Sequence, residues 1–230
     1  MSATQNIYSV HPKFPLAVDC VVFGYEKDEL KLLLYPRLFE PAKGMWSLMG
    51  GFVGENESLD AAVNHVLKMT VGLENIYMEQ VGAFSEPTRD PGGRVISIAY
   101  YALIRIDEHD TDLVGEKGGK WWPITSIPEL IFDHNQMVDN ALRKLQNNAT
   151  FNLIGKDLLP HHFTLTQLNN LYNAIFQRNF NAGNFRKKLT SLNALEKLSE
   201  KETVSSKRGA FYYKFKTNTE DIQYDRIVKL

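Results

Sequence analysis

The stretch GMWSLMGGFVGENESLDAAVNHVLKMTVGL, residues 44–73, has the layout of a site for phosphate chemistry: closely spaced glycines, a short acidic loop with Glu55 and Glu57, then a helix. Cleaving a diphosphate with Mg²⁺ requires hard oxygen ligands around the metal, so carboxylates must cluster on one face of that helix. Val66, Met69 and Thr70 stand where those carboxylates would serve. A hydrocarbon, a thioether and a hydroxyl neither hold the metal nor lower the pKa of its water. The expectation is a catalytic frame without its catalyst. Glu57 is then read mainly as a loop-orienting or helix-capping acid, His65 as a surface residue, and Gly50, Gly51 and Gly54 as positions set by backbone geometry.

A second set of residues fits ligand recognition. A small polyol needs several hydrogen-bonding side chains and a flat apolar wall, whereas a ligand carrying a diphosphate needs a longer cleft with cations. Asp19, Lys43, Glu57, Arg89 and Asp90 are the polar candidates and Trp46 the wall. Asp19 interrupts an otherwise apolar strand, which points either to a ligand contact or to a buried acid held by backbone amides. Arg89 is equally suited to pairing with Asp90 or Glu86, and Trp46 to the core.

The third set lies in the last third of the chain. Thr164 opens a capping box with Gln167, and Leu165, Leu168, Leu171, Tyr172 and Ile175 mark an amphipathic helix ending near Phe176. After the turn QRNFNAG, a second helix runs from Asn184 to about Leu192. It turns Phe185, Leu189 and Leu192 inward and Arg186, Lys187, Lys188 and Thr190 outward. ALEKLSEK and AFYYKFK then read as strands around TVSSKRG, a wing tip carrying Lys207 and Arg208. Helix, turn, basic helix and basic wing make a winged helix-turn-helix, for which Thr164, Arg178, Asn184, Arg186, Lys187, Lys188, Lys207 and Arg208 are the expected DNA contacts. The competing reading is a helical dimerisation domain with a solvated basic face. Residues 178–208 carry 8 basic against 3 acidic side chains, in the order a winged helix requires, which favours DNA.

The elements that must position these residues follow from periodicity. LAVDCVVFGY and LKLLLYPR flank the polar EKDE as a hairpin; MEQVGAFS, VISIAYYALIRI and KWWPI are further strands. Ser58 caps a helix with Leu59, Ala62, Val63, Val66 and Met69 at helical spacing, closed by Gly72. DHNQ at 133–136 reads as the capping box of another helix ending near Gln146, followed by a short connector, KLQNNATFNLIGKD. The result is a mixed α/β domain over 1–150 followed by a DNA-binding domain over 151–230. Charge divides the same way: residues 158–230 hold 12 Lys and Arg against 6 Asp and Glu, and residues 1–157 hold 14 against 21. An acidic front and a basic tail place the anionic partner on the tail.

Composition excludes several classes. At 43% apolar and 23% charged the chain is globular rather than disordered. Cys20 is the only cysteine, which rules out an intramolecular disulfide and a cysteine-held zinc. The start MSATQNIYSVHPKF lacks a signal-peptide pattern and the longest apolar stretch, ISIAYYALI, is too short to span a bilayer, so a cytoplasmic protein without membrane contact is expected.

Gly51, Glu57 and then Gly72 and Leu73 resemble the frame of a Nudix box, with WSLMGG as its lead-in. In Nudix hydrolases an arginine and three glutamates follow on the helix, and the glutamates bind the Mg²⁺; the matching positions here are His65 for the arginine and Val66, Met69 and Thr70 for the glutamates. Over nearly its full length, through EPTRDPGGRVISIAYYALI, FDHNQMVDNALRKL and NFRKKL, the chain resembles the Nudix-related transcriptional regulators. In that group a degenerate Nudix domain senses a metabolite and a winged helix binds operator DNA as a dimer. One branch responds to ADP-ribose and controls NAD metabolism; another responds to sugars. FEPAKGMWSLMGGFV and the acid-free helix look closest to the arabinose-responsive branch. The resemblance implies a homodimeric, non-enzymatic repressor of sugar utilisation, without cofactor or metal, that L-arabinose releases from its operator.

Overall fold

Strand β1 (Leu16–Glu26) is buried at seven consecutive positions, so apolar side chains cover both its faces and it must lie inside a sheet. In the computed structural model it does. The structure describes residues 10–72, 74, 76–107, 111–203, 209–216 and 226–228. β1 pairs antiparallel with β2 (Glu29–Pro36) and with β4 (Met49–Phe52), and parallel with β6 (Ile96–Arg105) from Leu16 opposite Ile96 to Tyr25 opposite Arg105. β3 (Trp46–Ser47) and β7 (Lys120–Pro123) join β2, and β5 (Tyr77–Phe84) closes the far edge beside β6.

Helices cover the two faces. On one, Ala62, Val63, Leu67 and Val71 of α1 (Leu59–Val71) pack on Val18, Cys20, Val22 and Leu33. Ser58 Oγ accepts from Ala61 N–H and Gly72, at φ 72°, ends the helix, both as the sequence predicts. On the other face, Met137, Val138, Ala141 and Leu145 of α3 (His134–Phe151) meet Val21, Phe23, Leu32 and Leu34. This cluster continues without a break into Leu168, Leu171 and Tyr172 of α4 (Leu165–Phe176) and Phe185 and Leu189 of α5 (Ala182–Ser191). β8 (Phe163–Thr164), β10 (Ala210–Phe215) and β9 (Leu195–Glu202) form a three-stranded sheet beside α4 and α5, which completes the winged helix. The architecture is a mixed α/β Nudix-like domain followed by a winged helix. Among the described residues no helix is long and apolar enough to cross a membrane.

Several local expectations change. DHNQ does not form a capping box, since Asp133 makes no side-chain cap and its carboxylate is engaged by Arg89. α3 runs to Phe151, past Gln146, so most of the supposed connector is helix. α5 begins at Ala182, two residues before Asn184, because Asn181 Oδ1 accepts from Asn184 N–H and caps it. The short strands β3, β4 and β8 and helix α2 (Thr111–Glu116) had no clear periodic signal. Leu73, Lys207 and Arg208 lie outside the described residues.

Candidate functional site

β1, β2, β4 and the first turn of α3 enclose a cleft of about 220 Å³. Its floor is a connected polar network. Arg89, only 9% exposed, gives two parallel hydrogen bonds to Asp133, Nε to Oδ2 at 2.8 Å and Nη2 to Oδ1 at 2.7 Å, the fork geometry that makes arginine–carboxylate pairs strong. Asp19 Oδ2 lies 3.9 Å from the same guanidinium and accepts from Ser97 Oγ at 2.5 Å. The parallel pairing of β1 and β6 sets Asp19 opposite Ala99 and so brings Ser97 within reach. Burial works against the charge of Arg89, but hydrogen bonds and charge from Asp133, with the charges of Asp19 and Asp90, outweigh it and raise its pKa.

His134 completes the floor. Its Nδ1 accepts from the Leu48 N–H at 3.2 Å, which leaves the proton on Nε2, 3.8 Å from Asp19 Oδ1. Burial lowers its pKa and prevails over the attraction of Asp19 and Asp133. The imidazole is therefore neutral in the folded protein. The unfolded chain takes up a proton at His134 below its ordinary value of about 6.5 and the folded chain resists, so stability should fall as pH drops through that window. Urea denaturation from pH 7 to 5 should show stability falling with pH, this one group contributing at most about 1.4 kcal/mol per pH unit. His134→Gln should flatten that fall; an unchanged slope would refute the assignment.

The mouth of the cleft differs in character. The Arg37 guanidinium sits over the Phe39 ring at 4.3 Å and the Phe132 ring at 5.1 Å. Lys117 also lines the cleft and donates to the Met69 carbonyl. Leu38, Phe39 and Phe52 are 69%, 61% and 67% exposed there, a costly display of apolar surface for a site with nothing to bind.

Of the residues expected to bind ligand, the fold brings Asp19, Arg89 and Asp90 to this cleft. It leaves out three. Lys43 is exposed on the preceding loop, with its N–H near Glu40. Trp46 packs edge-on against Trp122 at 5.4 Å on the core side. Glu57 accepts from Gly54 N–H and lies 3.8 Å from His65 Nδ1, a loop-holding role. Proximity along the chain had grouped these with the cleft. Arg37, Phe39, Ser97, Lys117, Phe132 and His134 were missed; of these, Ser97 carried a signal, as a hydroxyl in an apolar strand like Asp19.

On the Nudix-box helix, Val66 faces Gly51, and Met69 is 52% exposed. Thr70 is buried and gives its hydroxyl to Val66 O at 2.7 Å. Among the described residues, no three His, Cys, Asp or Glu side chains converge where they could hold a metal ion.

In the winged helix, Phe185 and Leu189 anchor α5 and leave Asn184, Arg186 and Lys187 exposed, with Lys188 half-buried. Arg178 lies over the Phe180 ring at 4.6 Å in the turn between α4 and α5. Thr164 is corrected: it is buried at 4% exposure, and its hydroxyl and N–H are both spent on the capping box with Gln167, so it shapes the start of α4 rather than offering a side chain to DNA.

Residues 155–215 match the NrtR DNA-binding winged helix domain. The chain is 28% identical, over 96% of its length and 90% of the relative's, to an ADP-ribose-responsive transcriptional repressor, NtrR, of Acinetobacter baylyi. It is 32% identical to an ADP-ribose pyrophosphatase of Methanocaldococcus jannaschii, over 58% of this chain and 75% of that one. The crystal structure of Shewanella oneidensis NrtR complexed with a 27mer DNA superposes with a TM-score of 0.83 at 29% identity, covering 93% of this chain and 99% of that one. These findings overturn the expectation of an arabinose-released regulator of sugar utilisation, because the relative aligned from end to end responds to ADP-ribose. The acid-free helix that suggested the sugar branch carries no group specific to a sugar. With a Nudix-like domain, a matching winged helix and full-length similarity to a DNA-bound regulator, the chain belongs to the Nudix-related, NrtR-like transcriptional regulators.

Proposed function

We propose that the protein is a transcriptional repressor that binds operator DNA as a homodimer through α5 and the wing and is released by ADP-ribose bound in the cleft, in the branch of the family that controls NAD metabolism. The observation that carries the effector is the cleft's cationic and aromatic lining, where Arg37, stacked on Phe39 and Phe132, and Lys117 line the same cleft. Cations next to aromatic rings suit a diphosphate joined to a nucleobase, and a pentose alone, which could use a ring as a wall, has no use for the cations. Asp19 and Asp90 supply acceptors for ribose hydroxyls deeper in the cleft. The full-length similarity to an ADP-ribose-responsive repressor supports the same reading.

Operator contact falls to the exposed Asn184, Arg186 and Lys187 with Lys188, to Arg178 in the turn before α5, and, as the sequence of the wing suggests, to Lys207 and Arg208. The two units divide near residue 151, where α3 ends. The protein is a sensor rather than a hydrolase, since Val66, Met69 and Thr70 offer Mg²⁺ no carboxylate.

The test is a titration of protein into a labelled promoter fragment. Saturating ADP-ribose should weaken binding by about tenfold or more, within the range usual for allosteric coupling, and L-arabinose should leave it unchanged. ADP-ribose incubated with the protein and Mg²⁺ should be recovered intact. Operator affinity indifferent to ADP-ribose would overturn the effector, and release of AMP would overturn the non-catalytic assignment.

A further inference from the structure

α3 has one end in the cleft and the other against the DNA-reading helices. At its start, Asp133 pairs with Arg89 and His134 accepts from Leu48. Eighteen residues of helix make a rod of about 27 Å, long enough to carry a displacement across the sheet. At its far end, Gln146 Nε2 donates to Ile175 O of α4 at 2.9 Å. The carbonyl of Asn152, just past the helix, accepts from the Tyr172 hydroxyl at 3.3 Å, and that hydroxyl accepts from Ile154 N–H at 3.2 Å. Tyr172 is fully buried, and its ring packs on Phe185 of α5 at 4.9 Å. Phe185 immediately precedes the exposed Arg186.

A second polar group grips the same end of α3. Asn148 Nδ2 donates to Tyr77 at 2.9 Å and Tyr101 at 3.1 Å, and Tyr101 donates to Glu79 at 2.7 Å. Asn152 Nδ2 donates in turn to Asn148 Oδ1. Directional bonds in an otherwise apolar junction cost free energy when broken one at a time, so such a junction exchanges between discrete arrangements rather than sliding.

We propose that Tyr172 and Gln146 are positioning residues through which α3 couples the cleft to α5. An anionic ligand that competes with Asp133 for Arg89 loosens the first turn of α3, and the shift reaches α5 through the Tyr172 hydroxyl and ring. The inference rests on the effector reading above, but the two fail differently.

The experiment uses full-length wild type, Tyr172→Phe and Gln146→Leu. Tyr172→Phe keeps the ring on Phe185 and deletes the hydroxyl; Gln146→Leu deletes the bond to Ile175 and decides the matter where Tyr172→Phe does not fold. Three constants are measured: ADP-ribose Kd by calorimetry, operator Kd by anisotropy, and operator Kd in saturating ADP-ribose. The ratio of the last two is the coupling factor. In each variant the first two constants should stay within about threefold of wild type while the coupling factor falls at least about fivefold toward unity. A general loss of packing would move the separate affinities instead. Wild type that does not bind ADP-ribose overturns the effector reading. Wild type that is coupled, with folded variants equally coupled, overturns the role of Tyr172 and Gln146 alone.

Discussion

Replacing Arg89 with alanine should lower stability by about 3 kcal/mol, the lower end of what breaking a buried ion pair costs. The guanidinium side chain is 4% exposed, so its bonds to Asp133 form out of water, and its removal strands two carboxylates, Asp133 and Asp19, on the floor of one cleft. The lower end applies because Asp133 keeps 18% of its side-chain surface in contact with solvent. Chemical denaturation of wild type and variant at pH 7 should show the deficit. Arg89→Lys should recover only part of it, since an ammonium cannot reproduce the two parallel bonds. An Arg89→Met variant, which keeps the aliphatic stem without the charge, that is as stable as wild type would show that Arg89 acts through packing alone.

A methyl group added at Gly50 should be nearly as damaging, at about 3 kcal/mol, the upper part of the usual range for overpacking. Its Cβ would lie 2.3 Å from Asp19 Oδ1 and 2.6 Å from Val18 O. The first atom belongs to a side chain held by Ser97, and the second to the backbone of β1 opposite β4, so neither can step aside cheaply. Gly50→Ala should therefore part β1 from β4 and displace Asp19, and under the effector reading proposed above it should weaken ADP-ribose binding together with stability. The neighbouring Gly51→Ala places its Cβ 3.3 Å from Val66 Cγ2, a mobile methyl, and should cost under about 1 kcal/mol. Thermal melts of the two variants decide the point; equal losses would contradict the role of Asp19 as the obstacle. The glycine inside the family motif is thus the more tolerant, and the one before it fixes the cleft.

What could be read from the sequence was what is decided locally. Thr164 and Gln167 lie three residues apart and satisfy each other's backbone groups, so α4 starts and ends where periodicity puts it. DHNQ presents the same local pattern and fails, because Arg89, 44 residues away, competes for Asp133. The polar run NNATF looked like the end of α3 until the sheet supplied partners for Asn148 from Tyr77 and Tyr101. The cleft was half legible for the same reason. An acid in an apolar strand stands out, whereas His134, Arg37 and Phe132 gain meaning only when β2 and the start of α3 meet. The effector was misread because resemblance in the text of one loop stood in for chemistry, and the cations that bear on a diphosphate lie at positions 37 and 117.

The unbroken core running from Val21 and Phe23 through Leu145 to Leu168 and Phe185 bears on how such regulators diversify. A DNA reader attached by a flexible linker can be exchanged like a cassette, new operator for old. Here the reader has no separate interior to take with it, since α3 packs on the sensor sheet along its length and bonds to α4 at its end. A chimaera that swaps the winged helix alone would expose Leu168, Leu171 and Ile175 to a foreign surface. Re-engineering the operator preference should therefore succeed by substitution at the exposed positions proposed above to meet DNA, Arg186 and Lys187, or by moving α3 and the winged helix together as one block.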